Sequence, residues 1–236
     1  MNILILITGF FAGALSSTIG FGGGMMLLPV VTYFFGIKTA VPICTIAQLI
    51  SNASRVVIGI KQVKWKQTFW FLATAIPLTA LGAYGFSIAP TSYITKFVCV
   101  GLIIFAIMKL SGKIRLPHTP ATMLVGGGVT GIINGLMSIS GPLSSAVFLT
   151  LDITPVAYIA SEAFAATIMH TVKIIVYGKL NLVSAPIIYN GLGLAAAMVA
   201  GNWLGMKLIG KIKNKLYQRI VAVCMIFLSI WLFVEA

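Results

Sequence analysis

The stretch Ser16-Ser17-Thr18-Ile19-Gly20-Phe21-Gly22-Gly23-Gly24 interrupts an apolar run near the start of the chain. Four of its last five residues are glycines, and each glycine weakens a helix by up to about 1 kcal/mol relative to alanine. The stretch therefore predicts that one helix ends here and that a short second helix begins at about Gly23. Inside a membrane, such a break is tolerated where protein or a wet cavity surrounds it.

Two interpretations of the break remain open from these residues alone. A helix that begins at Gly23 presents unpaired N–H groups and a positive dipole end, and glycines let a ligand approach the backbone, which favours anion binding. In that case Ser17, Gly22, Gly23 and Gly24 are the candidate ligand contacts. Alternatively, the small residues form a close-packing seam between helices, as the glycine clusters at 126–128 and 191–193 also suggest.

A second copy of the pattern favours the binding interpretation. With an offset of 118 residues, the halves of the chain align at the pairs Gly13 and Gly131, Gly23 and Gly141, Thr32 and Thr150, Arg55 and Lys173, and Lys61 and Lys179. The glycine run then falls on Ser138-Ile139-Ser140-Gly141-Pro142. We predict two membrane repeats, residues 1–118 and 119–236, that form one transmembrane domain. Paired interrupted segments are the strongest sequence indication of a transporter's binding site.

The composition places the chain in a membrane. Of the 236 residues 59% are hydrophobic and 8% charged, with a mean hydropathy of +1.08, more apolar surface than a soluble domain can bury. The three cysteines show no metal-ligand spacing, and no metal or other cofactor is expected. The first segment lacks a basic start and an Ala-x-Ala site, so we expect it to be retained rather than cleaved as a signal.

Ten apolar segments are predicted. They are Ile3 to Ile19, Gly23 to Phe35, Val41 to Ile60, Gln67 to Phe86, Tyr93 to Leu110, Thr122 to Ile139, Pro142 to Leu151, Pro155 to Tyr177, Leu182 to Leu208, and Leu216 to Val234. The second and seventh are short for a hydrocarbon layer of about 30 Å, so each, with the segment before it, forms either a re-entrant hairpin or two crossings. Five segments per repeat is an odd number, and the fold class predicted is an all-α polytopic membrane protein with two inverted repeats.

The basic residues test this topology. Under it, eleven fall on one face: Lys61, Lys64, Lys66, Lys109, Lys113, Arg115, Lys207, Lys211, Lys213, Lys215 and Arg219. By the positive-inside rule this face is cytoplasmic, and both termini are expected outside a multi-pass cell membrane protein. The formal net charge of +13 is then an orientation signal, and nucleic acid is not an expected partner.

Polar side chains inside the segments add further candidate site residues. Gln48, Asn52 and Arg55 share one helical face, as do Glu162, His170 and Lys173. Ionisable groups at this depth usually face a cavity or one another, although Arg55 and Lys173 are also near enough to segment ends to reach the headgroups. The second break contributes the candidates Asn134, Ser138, Ser140 and Gly141.

Glu162 is one of three acidic residues in the chain and the only one predicted well inside the membrane. A carboxyl group alone in an apolar medium favours its neutral form, so Glu162 is a candidate for proton coupling. The alternative is a structural role, as a hydrogen-bonding group or as the partner of Lys173 or Arg55.

These motifs resemble the TauE/SafE sulfite exporter family. The resemblance rests on Gly20-Phe21-Gly22-Gly23-Gly24, Pro29, the segment with Asn52, the Ser-x-Ser-Gly-Pro break and the twofold repeat, and it covers nearly the whole chain. It implies export or uptake of sulfite, an organosulfonate or a related small anion. With the repeats and the absence of a catalytic constellation in the sequence, we predict a secondary transporter, an exporter and not an enzyme, that works by alternating access. A passive anion channel, a non-transporting scaffold and a membrane-embedded enzyme are the alternatives, and a homo-oligomer remains open.

Overall fold

A computed structural model describes residues 2–20, 23–90, 117–138 and 141–207, and singly residues 92, 93, 96, 97, 100, 103, 104, 230 and 234. The helices in these ranges are α1 (Ile3–Ile19), α2 (Gly23–Phe35), α3 (Ile37–Gly59), α4 (Trp65–Ile88), α5 (Pro120–Met137), α6 (Gly141–Phe148), α7 (Pro155–Lys179) and α8 (Ala185–Lys207). Short 3-10 turns at Ile60–Gln62 and Leu149–Leu151 follow α3 and α6. No strand occurs in the part of the chain that the structure describes.

The helices confirm the predicted segments between residues 3 and 90 and between 120 and 207. The helix ends at Ile19 and the restart at Gly23 agree with the prediction from the glycine run. Among the described residues, five helical stretches are long and apolar enough to cross a membrane, whereas α1 and α2 are apolar but shorter. The segments predicted at 93–110 and 216–234, with seven of the eleven charges on the predicted cytoplasmic face, lie essentially outside the described residues.

Two helix pairs, α1 with α8 and α4 with α5, pack with their backbones in near contact. A methyl group added at Gly13 or Gly201 would overlap a carbonyl oxygen across the first pair, and one at Gly82 or Gly131 would do so across the second. Gly127 in the 126–128 cluster likewise approaches the backbone of α4, which confirms that cluster as a packing seam. Each pair joins a helix from residues 1–118 to one from 119–236.

Helices α3 and α7 pack against each other at the centre of the described bundle, with α8 on α3 and α4 on α7. The two central helices carry the buried charged side chains of Arg55, Glu162 and Lys173, while α1, α4 and α8 leave large apolar side chains exposed on their outer faces. An apolar exterior around a polar interior is the arrangement expected of a helical membrane protein. The inverted relation of the repeats and re-entrant hairpins remain predictions.

Candidate functional site

In the first break, one serine connects the end of α1 to the start of α2. Gly20 ends α1 with a φ of 87°, a left-handed conformation that glycine adopts without strain. Its N–H donates to the Ser16 carbonyl at 2.9 Å, and the Gly23 N–H donates to Ser16 Oγ at 2.9 Å. A Cβ at Gly23 would overlap Ser16 Oγ, so only glycine permits this contact. Gly22 lies outside the described residues.

The second break repeats this geometry without a glycine at its first position. Ser138 ends α5 with a φ of 55°, and its N–H donates to the Asn134 carbonyl at 2.8 Å. Helix α6 then begins at Gly141. Under the offset of 118 residues, Ser138 occupies the place of Gly20 and Asn134 that of Ser16. Ser140 lies outside the described residues.

A buried cation caps the carboxyl end of each interrupted helix. Arg55 Nη1 donates to the Ser16 carbonyl at 2.9 Å and to the Gly20 carbonyl at 3.4 Å. Lys173 Nζ donates to the Asn134 carbonyl at 2.8 Å and also to Ser138 Oγ. Cations are stabilised by the negative end of a helix dipole. Arg55 and Lys173 are 4% and 0% exposed, so both side chains lie inside the bundle and not on its outer surface.

Arg55 also connects the two halves of the chain. Its Nη2 donates to Asn52 Oδ1, and its Nη1 lies 3.8 Å from Glu162 Oε2. The other carboxylate oxygen, Glu162 Oε1, accepts a hydrogen bond from Ser144 Oγ at 2.8 Å. Glu162 is therefore not alone, and of the roles left open by the sequence the structure shows the ion pair with Arg55. Ser144 was not a candidate from the sequence, because nothing local marks a serine in a short apolar helix.

The two breaks approach each other through α3. Gln48 Nε2 donates to the Ser138 carbonyl at 3.0 Å, and Thr45 Oγ1 lies 2.7 Å from Ser138 Oγ. A Cβ built on Gly24 would lie 2.9 Å from that same Ser138 carbonyl oxygen. The start of α2 and the end of α5 thus share one buried polar cluster. Thr45 was missed from the sequence, although its position three residues before Gln48 puts both on one helical face.

A comparison with models of protein families identifies the family of this chain. The model described as sulfite exporter TauE/SafE matches residues 5–232. The chain belongs to the TauE/SafE family. Its members are membrane transporters of the sulfite-exporter type. Searches of curated proteins and of solved structures each found no match to this chain.

In this TauE/SafE chain, Ser17 is separated from the shared cluster. Its hydroxyl donates to Asn202 Oδ1 at 2.9 Å, and Asn202 Nδ2 donates to the Ser51 carbonyl, Ser51 Oγ and Ser54 Oγ, each at 2.9 Å. This network ties α1, α3 and α8 together. Asn202 has a structural role that the sequence did not indicate, because its partners are about 150 and 185 residues away.

Two candidates carry buried polar atoms without a partner among the described residues. Both side-chain atoms of the Asn134 amide and both ring nitrogens of His170 make no hydrogen bond there, and both residues are 0% exposed. Nearly all buried polar groups in proteins are hydrogen-bonded to protein, water or ligand. Within the described residues, no group of three or more histidine, cysteine, aspartate or glutamate side chains could hold a metal ion.

Proposed function

We propose that this chain is a secondary transporter, an exporter, of a small sulfur-containing oxyanion such as sulfite or an organosulfonate. The binding site would lie where the two helix breaks meet, and repeats 1–118 and 119–236 would form one inverted pair. Family membership supports transport of this class of substrate. The polar cluster supports the location, because it is the place where interrupted helices of both halves converge.

One observation carries the proposal: charged and polar groups converge in an otherwise apolar bundle. Arg55, Glu162 and Lys173 are all buried, and burying such groups in a membrane protein is costly unless they pair or serve a function. A scaffold would have no use for the unpartnered amide of Asn134 or the unpartnered imidazole of His170. An oxyanion can satisfy both donors and charge in such a place.

Alternating access is the proposed mechanism. At Gly13 and Gly201, and at Gly82 and Gly131, the paired helices lie so close that an added Cβ would overlap a backbone carbonyl oxygen of the other helix. We therefore expect α1 to move with α8, and α4 with α5, while the cluster between them opens to one side and then the other. Proton coupling through Glu162 is part of the proposal, since an anion held in the cluster adds negative charge to the buried interior and so favours the neutral carboxyl group.

The proposal is tested by flux of sulfite into liposomes that contain the purified protein, with and without an imposed pH gradient. We expect saturable flux that the gradient drives. The variant Glu162→Gln keeps the shape of the side chain and fixes the neutral state, so it should transport sulfite without dependence on the gradient. Non-saturating flux would identify a passive channel instead, and no flux of any sulfur oxyanion would contradict the proposed function.

A further inference from the structure

The buried charges of the two breaks are not balanced equally. Within the described residues, the buried side chains of formally charged type are Arg55, Glu162 and Lys173. Arg55 and Glu162 form an ion pair with 3.8 Å between Nη1 and Oε2, which cancels one positive charge. Lys173 donates to the carbonyl of Asn134 and the hydroxyl of Ser138, both of them neutral. When Lys173 is protonated, the interior of the described bundle therefore holds one positive charge without an acidic partner among the described residues.

Unsatisfied polar atoms lie around that charge. His170 is three residues before Lys173 on α7 and hence on the same helical face. Asn134 receives the Lys173 ammonium group on its carbonyl, while its side-chain amide makes no hydrogen bond to the described residues. The imidazole of His170 makes none either. An ammonium, an amide and an imidazole thus lie where α5 and α7 meet at the contact of Lys173 with Asn134, and the amide and the imidazole have hydrogen-bonding capacity left for a ligand.

Both terminal nitrogens of the Arg55 guanidinium are already engaged, and its Nε is the atom that lacks a hydrogen-bond partner among the described residues. Its Nη1 and Nη2 are occupied by the carbonyls of Ser16 and Gly20, by Asn52, and by the Glu162 carboxylate. An anion bound at Arg55 would have to displace Glu162 or share the guanidinium with it, and two negative charges held close together in a low-dielectric site repel strongly. An anion bound at Lys173 meets no acidic group of the described residues.

From these contacts we infer that Lys173, Asn134 and His170 form the subsite for the charged group of the substrate, and that this subsite is matched to a single negative charge. The inference rests on the proposed transport function and assigns its charge selectivity. A singly charged oxyanion neutralises the interior, whereas a doubly charged one leaves it negative by one charge. Arg55 and Glu162 then hold the first break in place without contacting the sulfur group.

The experiment compares two probes of similar size by titration calorimetry on purified protein in detergent at neutral pH. Methanesulfonate carries one negative charge and sulfate carries two. We expect the wild type to bind methanesulfonate more tightly than sulfate. Lys173→Met should weaken methanesulfonate binding by about tenfold or more, the size expected for loss of a charge-assisted hydrogen bond. Lys179→Met removes a lysine from the exposed end of the same helix and should leave the affinity unchanged.

A second variant guards against misfolding of Lys173→Met. Asn134→Asp is nearly isosteric and places a carboxylate beside Lys173, so it should remove methanesulfonate binding although the lysine remains. Wild-type affinity in Asn134→Asp, or tighter binding of sulfate than of methanesulfonate by the wild type, would overturn the inference. If sulfite flux persists while these variants bind methanesulfonate normally, only the subsite is wrong. If the wild type neither binds the probes nor transports sulfite, the proposed function itself fails.

Discussion

The two breaks end their first helix in similar ways. In the first break Gly20 ends α1, and Arg55 donates to the carbonyls of Ser16 and Gly20. In the second break Ser138 ends α5, and Lys173 donates to the Asn134 carbonyl and to Ser138 Oγ. Both ends adopt positive φ, and both cations come from the long helix that follows the break. The same arrangement, a helix end that is buried in the bundle and receives hydrogen bonds from a basic side chain, thus occurs twice among the described residues. An interrupted helix leaves carbonyls that need donors, and a long basic side chain supplies them.

The difference between the breaks lies in what faces each cation. Glu162 lies 3.8 Å from Arg55, and under the offset of 118 residues its counterpart is Cys44. Asn52 accepts from Arg55, and its counterpart is His170, whose ring nitrogens have no partner among the described residues. The two breaks therefore share their backbone contacts and differ in their side-chain partners: an acidic side chain faces the cation of the first break, and a histidine corresponds to Asn52 in the second.

Removal of Arg55 should have the largest effect on stability. Arg55→Met leaves the Glu162 carboxylate buried without its cation, and breaking a buried pair in this way destabilises by about 3–5 kcal/mol. The measurement is the free energy of unfolding in mixed detergent micelles. The double variant Arg55→Met with Glu162→Gln should recover part of the loss. If Arg55→Met lowers the free energy of unfolding no more than substitution of an exposed lysine does, the ion pair is contradicted.

Gly20 should tolerate alanine poorly, although Ser138 occupies the equivalent place. The Gly20 φ of 87° is strained for any residue with a Cβ, and that atom would overlap the ring of Tyr158. We expect Gly20→Ala to destabilise by about 2–3 kcal/mol. Ser138→Ala keeps an existing backbone conformation and loses only hydroxyl contacts, so it should cost less in the same unfolding assay. Equal losses of unfolding free energy in the two variants would contradict the prediction that the end of α1 requires glycine.

Local signals predicted the helices and both breaks. The glycine run defined the end of α1 and the start of α2 because helix propensity is a property of neighbouring residues. The spacing of Gln48 and Arg55 predicted their shared face because helical geometry is fixed. The offset pairs Arg55 with Lys173, and in the structure both donate to the end of an interrupted helix, a contact that the sequence did not predict; their role in substrate binding stays a prediction.

The partners across the bundle could not be predicted in the same way. The pair of Arg55 and Glu162 and the contact of Ser17 with Asn202 join residues about 107 and 185 positions apart. Such pairs depend on how whole helices pack, which propensity and periodicity do not specify. Ser17 was a candidate because it lies in the glycine-rich stretch, and only the packing of α8 shows that its hydroxyl already has a partner.

Removal of the Lys173 side chain should lower the free energy of unfolding less than removal of the Arg55 side chain does. Lys173→Met leaves two neutral oxygens, of Asn134 and Ser138, without one of their donors, but it leaves no acidic group unpaired. A loss of about 1–3 kcal/mol is expected for such unsatisfied groups. The comparison is made against Arg55→Met under identical detergent conditions. A greater loss for Lys173→Met than for Arg55→Met would mean that the second break, and not the first, is the more strongly stabilised.

The smallest expected effect comes from Thr45, whose hydroxyl lies 2.7 Å from Ser138 Oγ and donates to the Val41 carbonyl at 2.8 Å. Thr45→Val preserves the branched shape and removes only the hydroxyl, so the free energy of unfolding should fall by about 1 kcal/mol.

The same variant tests the position of Lys173, because Ser138 Oγ also accepts a hydrogen bond from Lys173. If the second break binds the substrate through Lys173, loosening Ser138 should change methanesulfonate affinity more than it changes stability. Thr39→Val, on the same helix, is the matched control, and an affinity change of equal size in both variants would show that Thr45 has no special connection to the site.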